Sequence, residues 1–351
     1  MEFGERYTVL GDALKGGMGD VFPCQDEILS RPVAVKVIQS GVEQRRMLDE
    51  VRALLKLRSK HVVQVYDLLQ LDGGAVAIVQ EFLSGNDLLH EATLAADSHM
   101  LMRQLWQIAA GIRDIHAENI IHRDIKPNNM KLDGEGVIKI FDFGLARSEG
   151  GEASTMGFVG TRGFAAPELY RDVADFTTAV DVYAFGATAV FLAARGLPEE
   201  LTAIPPLPPP AGFIDAIMGG LAVDVRAILA QCLSENPLER PSMEAVSHVL
   251  SRHLLLNRHQ GLLVYQQAPS YLNAGNRTVV ASLPDMGGIK IHYDGLDFVV
   301  QALDGDVYIN NKVPFVGQVL PGSCVIALGA LTLANRRRYI TFDLSSPEVV
   351  L

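Results

Sequence analysis

The sequence is poor in cysteine, in tryptophan and in long apolar runs. Its three cysteines, Cys24, Cys232 and Cys324, lie far apart and form no CxxC pair, which argues against a disulfide framework and a structural zinc site. The most apolar stretch, residues 182–194, is shorter than the roughly 20 residues that cross a bilayer. The N-terminus carries acidic groups and lacks the apolar core of a signal peptide. We therefore expect a cytoplasmic protein without a membrane span.

Positive charge is also in short supply. The chain has 30 Lys and Arg against 41 Asp and Glu, a formal net charge of −11 at pH 7. This balance argues against nucleic acid or an anionic membrane as a partner, although a nucleotide site needs only a few well-placed lysines. The remaining composition, 48% hydrophobic and 20% charged, is typical of a soluble globular protein, and 351 residues favour two domains.

Hydrophobic periodicity divides the chain into regions. The first alternates apolar and polar residues as short strands do, with one helix expected after Ser40. The apolar spacing then becomes helical, and it finally returns to strand-like alternation. We expect an α+β protein whose parts are a β-rich lobe at about 1–82, an α-rich lobe at about 83–253, a linker at 254–262 and a small all-β sandwich at 263–351.

The residues best suited to chemistry lie in two motifs, HRDIKPNN and IFDFG. Asp124 can accept the proton of an incoming hydroxyl, and Lys126 adds positive charge near a transferred phosphate. Asn129 and Asp142 offer the hard oxygen ligands that magnesium prefers. Phosphoryl transfer requires charge neutralisation, metal positioning and an oriented hydroxyl, so this ordered set of residues favours that reaction.

Upstream residues add the features of a triphosphate site. Lys36, in VAVK on a predicted strand, can reach the α- and β-phosphates, and Glu50 on the next helix can pair with it. The KGGMG turn contributes Gly16, Gly17 and Gly19, where the missing Cβ allows the backbone to approach a phosphate closely. The sequence thus favours ATP as the phosphate donor, together with Mg²⁺.

Residues 7 to about 253 resemble the eukaryotic-like protein kinase domain, in a bacterial-type form marked by GGMGDVF. The resemblance implies a bilobal fold and a need for ATP and Mg²⁺, with Mn²⁺ as the alternative ion. It also implies a strand lysine, its helix partner, the catalytic aspartate and two metal ligands, which are Lys36, Glu50, Asp124, Asn129 and Asp142 in that order. One departure from the family pattern is Leu14, which stands at the first glycine position of the phosphate loop.

The resemblance also implies an adenine pocket. Glu81 and Leu83 correspond to the hinge, which hydrogen-bonds adenine through its backbone, and Gln80 occupies the gatekeeper position. Val21 and Ala34 correspond to the residues that close over the adenine ring.

Other matches concern the support of the site. His122 and Phe143 resemble packing residues beside it, and Asp181 resembles the helix aspartate that braces the catalytic loop. Glu168, in the APE motif that ends the activation segment, resembles the buried partner of Arg240.

Two residues indicate which amino acid accepts the phosphoryl group. Lys126, two positions after the catalytic aspartate, is similar to the serine/threonine kinase pattern. Thr161 stands where such kinases contact the catalytic aspartate and lysine. The resemblance therefore implies transfer to serine or threonine of protein substrates, and additional transfer to tyrosine stays open.

Arg123, beside the catalytic aspartate, indicates activation through a phosphorylated loop, because an arginine at this position can bind a phosphate bidentately. We expect the chain to phosphorylate this loop itself. The candidate phosphorylation sites between DFG and APE are Ser148, Ser154 and Thr155.

The last region, above all DGDVYINNKVPFVGQVLPGSCVIALG, resembles a forkhead-associated (FHA) domain, a β-sandwich that often reads phosphothreonine. Arg277 can stand for the early arginine of that family, but Met286 to Ile289 replace its Ser-x-x-His pair. We expect a degenerate sandwich that docks a partner protein or the kinase domain itself.

Two alternatives stay open at this point. A catalytically silent kinase fold could act as a scaffold, although no residue of the catalytic set is missing. A small-molecule kinase would share both lobes, although the APE segment with Thr161 is suited to a peptide substrate.

Overall fold

The computed structural model describes residues 3–16, 19–38, 54–71, 74–143, 147–148, 160–171, 177–265 and 268–345. The chain divides into two units, Met1–Leu250 and Ser251–Val350. Within the described ranges no helix is both long enough and apolar enough to cross a membrane.

A six-stranded antiparallel sheet begins the first unit. Its strands are β1 (Tyr7–Val9), β2 (Leu14–Gly16), β3 (Gly19–Asp26), β4 (Arg31–Ile38), β5 (Val65–Gln70) and β6 (Val76–Glu81). Their order in space is β1-β3-β4-β6-β5, and β2 pairs with β3. Lys36 on β4 lies opposite Val21 on one side and Ile78 on the other, so the sheet fixes its position from both edges.

Two details of this sheet bear on the expectations. The segment YTVLGDAL reads as one strand in the sequence, but residues 10–13 interrupt it between β1 and β2. This break contains Gly11 and Asp12, which are residue types that disfavour strands. The helix expected after Ser40 lies in residues 39–53, outside the described residues.

Helices dominate the rest of the first unit. They are α1 (Ser98–Ala117), α2 (Ala179–Ala194), α3 (Glu199–Thr202), α4 (Phe213–Ile217), α5 (Val223–Cys232) and α6 (Met243–Leu254). The Asp97 side chain caps α1 by accepting a hydrogen bond from the Met100 amide at 2.7 Å. Most of α2 is buried, which confirms that the apolar run at 182–194 is a core helix.

Four short strands hold the loops between the sheet and the helices. They are β7 (Ile120–Ile121), β8 (Met130–Leu132), β9 (Ile138–Ile140) and β10 (Arg147–Ser148). β8 pairs with β9, and β7 pairs with β10. HRDIKPNN therefore begins just after β7 and ends where β8 begins, while IFDFG begins at the end of β9.

The second unit contains two antiparallel sheets. Its strands are β11 (Gly261–Tyr265), β12 (Ala268–Leu272), β13 (Thr278–Leu283), β14 (Gly287–Tyr293), β15 (Phe298–Gly305), β16 (Val307–Ile309), β17 (Cys324–Leu328) and β18 (Arg338–Leu344). The sheet orders are β12-β11-β18-β17-β16 and β13-β14-β15. Both sheets contribute buried residues to one hydrophobic core, for example Ile291 and Ile340.

The sequence pattern overestimates one strand of the second unit. CVIALGALTL reads as a single strand, but β17 ends at Leu328, and the chain then forms a 3-10 helix at Leu331–Arg336. Gly329 has φ +105, a conformation that residues with a Cβ rarely adopt, and it turns the chain out of the sheet.

Candidate active site

Asp124 lies in the loop between β7 and β8, where Lys126 and Thr161 both contact its carboxylate. Its Oδ2 is 2.7 Å from Nζ of Lys126, and its Oδ1 accepts a hydrogen bond of 2.7 Å from Oγ1 of Thr161. Thr161 in turn accepts a bond of 2.7 Å from Lys126 Nζ, so the three groups form a closed triangle. Residues 124, 126 and 161 therefore converge, as the sequence pattern predicts.

The electrostatics of Asp124 favour the charged form. Burial of this carboxyl opposes ionisation, but the hydrogen bonds from Lys126 and Thr161 outweigh burial and lower its pKa below the ordinary value for aspartate. At neutral pH Asp124 is a carboxylate, which can accept a hydrogen bond from a hydroxyl group.

Asn129 is oriented by the same aspartate. Its Nδ2 donates to both the backbone oxygen and Oδ2 of Asp124, each at 2.8 Å. Because the amide nitrogen is used in this way, Asn129 Oδ1 is the group left to bind a cation. Asp142 supplies further carboxylate oxygens, and its backbone has the left-handed φ of +66.

These donors fit a magnesium ion. Oxygen ligands from one amide and one carboxylate match the preference of Mg²⁺, which takes few protein ligands and completes its shell with phosphates and water. Within the described ranges there is no cluster of three or more His, Cys, Asp or Glu residues able to hold a metal by themselves.

Lys36 meets Asp142 across the site. Its Nζ donates to Asp142 Oδ1 at 2.5 Å, so the strand lysine and the DFG aspartate are in direct contact. The Lys36 side chain is 13% exposed, so most of it is buried. Its expected partner Glu50 lies outside the described residues.

Asp181, at the start of α2, binds the backbone of the catalytic loop. Its carboxylate accepts hydrogen bonds of 2.8 Å from the backbone amides of His122 and Arg123, and of 2.9 Å from His116 Nε2. Arg123 has φ +69, an unfavourable conformation for a residue with a Cβ, and the carboxylate helps to hold it there. Burial opposes the charge on Asp181, but the bond from His116 helps to lower its pKa.

His122 is a neutral packing group. It is completely buried, and burial lowers its pKa. Its Nε2 bonds the Phe141 carbonyl at 3.1 Å, and Nδ1 accepts from the Asp124 amide at 3.3 Å. The Phe143 ring lies 4.7 Å away between centroids. The two residues expected to pack beside the site therefore pack on each other.

The predicted adenine pocket maps to the end of the first sheet. Ala34 on β4 is buried and lies opposite Gln80 on β6, while Val21 on β3 is partly buried. Glu81 ends β6, and Leu83 follows it outside the ladder. Val21, Gln80 and Glu81 thus lie on the strands that flank β4, which carries both Ala34 and Lys36.

The glycine turn is described in part. Gly16 ends β2 and pairs with Gly19 at the start of β3, so the two strands form a hairpin at this turn. Gly17 lies outside the described residues. The Leu14 side chain is 57% exposed, so it does not fill the interior of the lobe.

Glu168 and Arg240 form a buried ion pair with two hydrogen bonds. Arg240 Nη1 and Nη2 donate to the two carboxylate oxygens of Glu168 at 2.6 and 2.8 Å. The guanidinium also donates to the backbone oxygens of Ser234 and Ala179. This geometry fixes the APE motif against the helical lobe.

The candidate phosphorylation sites are described least. Ser148 belongs to β10, where its backbone pairs with Ile120, but its side chain is not described. Ser154 and Thr155 lie outside the described residues. Arg123, the proposed phosphate-binding arginine, is 5% exposed.

Two contacts were missed by sequence reasoning. His116 bonds Asp181, and Lys139 Nζ lies 3.0 Å from the carboxylate of Glu81. His116 lies in the last turn of α1, six residues before His122, and Lys139 lies on β9, the strand before DFG. Both positions were visible in the sequence, but a pairing across 58 or more residues requires the fold.

Comparison with known proteins gives a consistent result. A family model described as "Protein kinase domain" matches residues 7–250. The chain is 31% identical over 198 residues to a probable serine/threonine-protein kinase, pknA2, of Bifidobacterium longum, covering 52% of this chain and 26% of that protein. It is 32% identical over 251 residues to the serine/threonine-protein kinase PknK of Mycobacterium tuberculosis. This alignment covers 66% of this chain and 22% of that protein.

A more distant organism provides a further relative. The probable serine/threonine-protein kinase zyg-1 of Caenorhabditis elegans is 28% identical over 272 residues, covering 75% of this chain and 36% of that protein. The chain thus spans only about a quarter to a third of the length of these relatives. Because the family model covers well over half of the 351 residues, the chain belongs to the protein kinase domain family.

Proposed function

We propose that this chain is an ATP-dependent serine/threonine kinase that transfers the γ-phosphoryl group of ATP to protein substrates. The observation that carries the proposal is the closed triangle of Asp124, Lys126 and Thr161, next to the oriented amide of Asn129. Family membership supports protein substrates and a need for ATP with a divalent ion.

The carboxylate of Asp124 orients the acceptor hydroxyl and accepts its proton. Its lowered pKa keeps it ionised at neutral pH. Lys126 neutralises charge that develops on the transferred group. Thr161 connects the two side chains and holds the peptide-binding segment at the reacting centre, which favours a protein acceptor over a small molecule.

Asn129 and Asp142 would hold Mg²⁺, or Mn²⁺ in its place. When bound, the ion neutralises phosphate charge. Lys36, with Glu50 as its partner, positions the α- and β-phosphates, and the backbone at Gly16, Gly17 and Gly19 covers them. Glu81 and Leu83 hold adenine through their backbone, between Val21 and Ala34.

The regulatory part of the proposal concerns the activation segment. Ser148, Ser154 and Thr155 are the candidate sites at which the chain phosphorylates itself. Arg123 would bind the resulting phosphate and so couple the segment to the catalytic loop. Phosphopeptide mapping of the active protein checks this, and finding no phosphate at residues 145–165 would contradict it.

We propose that the whole chain consists of a kinase domain at 1–253, a linker at 254–262 and an FHA-like sandwich at 263–351. The sandwich docks a protein. Arg277 supports docking over phosphothreonine reading, because its guanidinium donates to the Asp294 backbone oxygen at 3.1 Å and to Asn257 at 2.7 Å. An arginine with these internal partners is less available to a phosphate. We also propose a cytoplasmic location.

The test is transfer of labelled phosphate from ATP in the presence of Mg²⁺. We expect wild-type protein to label itself and a generic serine/threonine substrate, and Lys36→Ala and Asp124→Ala to abolish labelling. Mass spectrometry of the products should find phosphoserine and phosphothreonine. Equal and negligible labelling by all three proteins would contradict an enzyme and favour a silent scaffold.

A further inference from the structure

The five-stranded sheet of the second unit exposes a row of side chains on its outer face. Tyr308 on β16 lies opposite Ala327 on β17, which lies opposite Tyr339 on β18. Side chains that are directly opposite share one face of a sheet. Neighbours of this row along the strands belong to the hydrophobic core, namely Val307, Ile309, Ile326, Leu328 and Ile340. The row therefore faces away from the core.

Arg337 lies over this row. Its guanidinium is 4.7 Å from the ring centroid of Tyr308 and 5.8 Å from that of Tyr339, so two aromatic rings flank the charge. Its Nε donates to the Gly329 backbone oxygen at 3.2 Å. The residue is only 7% exposed, and Ala327 beneath it is 2% exposed.

The charge of Arg337 is not matched. The guanidinium has five N–H donors, and the Nε contact is its one hydrogen bond to the described residues. Nη2 is buried without an acceptor, and among the described residues no Asp or Glu carboxylate forms an ion pair with it. Buried charges are normally paired, because an unpaired one loses solvation without compensation. The Nη1–Nη2 edge thus lacks the acceptor that Arg240 finds in Glu168.

The surroundings indicate what this acceptor is. The guanidinium of Arg337 occupies the slot between the two rings, and a carboxylate is the group that forms the strongest hydrogen bonds with a guanidinium. Two of the exposed side chains near the slot on the same outer face are aromatic or apolar, Tyr339 (56% exposed) and Val325 (41%), and a third, Thr341, is polar. These contacts suit apolar residues beside an acidic one.

Net charge points in the same direction. The first unit has 22 Lys and Arg against 34 Asp and Glu, whereas the second has 8 against 7. Arg336 and Arg338, on either side of Arg337, are exposed. An acidic segment is therefore attracted to this part of the second unit, while most of the chain would repel it.

We propose that Arg337, held between Tyr308 and Tyr339, is a binding site for the carboxylate of an acidic residue in a peptide segment of a partner protein. The site gives a location to the docking role proposed above for the second unit. It does not depend on phosphoryl transfer, so the two proposals fail separately.

The experiment measures binding of the full chain to fluorescein-labelled peptides by fluorescence anisotropy. One peptide has a central glutamate between valines, a second has glutamine at that position, and a third has phosphoserine. We expect saturable binding of the glutamate peptide and binding of the glutamine peptide that is weaker by about tenfold or more, because hydrogen bonds between charged groups are the stronger ones. Tighter binding of the phosphoserine peptide than of the glutamate peptide would overturn the assignment to a carboxylate.

Two variants locate the site. Arg337→Gln should weaken binding of the glutamate peptide about tenfold or more, whereas Arg338→Gln, which removes the same charge from an exposed neighbour, should change it less than about threefold. Equal losses in both variants, or no binding by wild type, would overturn the proposal.

Thermal unfolding shows whether Arg337→Gln is folded, and a third variant keeps the proposal testable if it is not. Tyr339→Ala removes one wall of the slot at a largely exposed position and leaves the guanidinium in place. It should weaken the glutamate peptide about threefold or more, since a cation–π contact of this kind contributes measurably at an exposed site. Unchanged affinity of a folded Tyr339→Ala protein for the glutamate peptide would contradict the proposal that Tyr339 forms part of the binding site.

Discussion

Three buried charged groups of the first unit, Glu168, Arg240 and Asp181, differ from Arg337 of the second unit in the partners that they find. In the first unit Glu168 and Arg240 satisfy each other, and Asp181 accepts three hydrogen bonds from the catalytic loop and α1. In the second unit Arg337 has two aromatic faces and one backbone oxygen. Glu168, Arg240 and Asp181 therefore find their partners within the chain, whereas we propose that the partner of Arg337 comes from another protein.

The largest expected effect comes from breaking the buried ion pair of Glu168 and Arg240. Glu168→Gln removes one charge of a buried pair and should lower the stability of the first unit by about 3–5 kcal/mol, because Arg240 is left buried without its counter-charge. Differential scanning calorimetry of the full chain measures this loss.

The matched control is the exposed pair of Arg226 with Asp215, whose aspartate side chain is 66% exposed. Asp215→Asn should cost about 1 kcal/mol or less, because solvent screens such pairs. Similar losses in Glu168→Gln and Asp215→Asn would mean that burial does not distinguish the two pairs.

A smaller effect is expected at the reacting centre. Thr161→Val removes the hydroxyl that joins Asp124 to Lys126, and kcat should fall about 10- to 100-fold, because hydrogen bonds to charged groups contribute about 1.5–3 kcal/mol. Steady-state kinetics with a protein substrate measures it. The control is Thr341→Val, at an exposed position of the second unit, which should leave kcat unchanged. An unchanged kcat in Thr161→Val would contradict a role of Thr161 in the reaction.

The stability of the first unit should also depend on pH. Burial lowers the pKa of His61 and His122, so below about pH 6.5 the unfolded forms of these residues take up more protons than the folded forms. Stability therefore falls as the pH drops from 7.5 to 5.5, by at most about 1.4 kcal/mol per pH unit for each group.

Unfolding temperatures across this range, in wild type and in His61→Phe, test the origin of the effect. Removing one buried imidazole should make the pH dependence shallower, whereas His99→Phe, at an exposed position, should not alter it. A dependence that is identical in all three proteins would assign it to other groups.

The smallest expected effect is the alkylation of the cysteines in the native protein. Because both units contain a buried cysteine, their alkylation can be compared between the units. Burial raises the pKa of Cys24 and Cys324 to about 11 and that of Cys232 to about 12. The thiolate is the reactive form, so the native protein should resist iodoacetamide in both units. Mass spectrometry of labelled peptides along a denaturant gradient then reports which unit opens first. Labelling of the native protein at the rate of a free thiol would contradict burial.

Much of the first unit is predictable from the sequence because its function restricts residue types at fixed spacings. Asp124, Lys126 and Asn129 are five residues apart or closer, and one short loop brings them together. Thr161 was also predictable, through the family pattern that places it. By contrast, the contact of His116 with Asp181 joins two helices, and no local spacing indicates it.

The second unit was harder to predict because packing, not chemistry, determines most of its residues. Alternation located several strands, but β17 ends at Gly329 through a left-handed turn that alternation does not report. Arg337 lies in a run of three arginines that reads as a solvated surface. Its burial depends on Tyr308, which is far away in the sequence and close only in the folded sheet.

The most direct test of the central claim is the rate of phosphoryl transfer by Asp124→Asn, which keeps the shape of the residue and removes its charge. With ATP, Mg²⁺ and a serine/threonine substrate, kcat should fall about 10²- to 10⁴-fold, which is the usual contribution of a positioned acid–base group. Asp285→Asn, the same change at an exposed turn of the second unit, should retain wild-type kcat. Equal rates for wild type, Asp124→Asn and Asp285→Asn would contradict a phosphoryl-transfer site at Asp124.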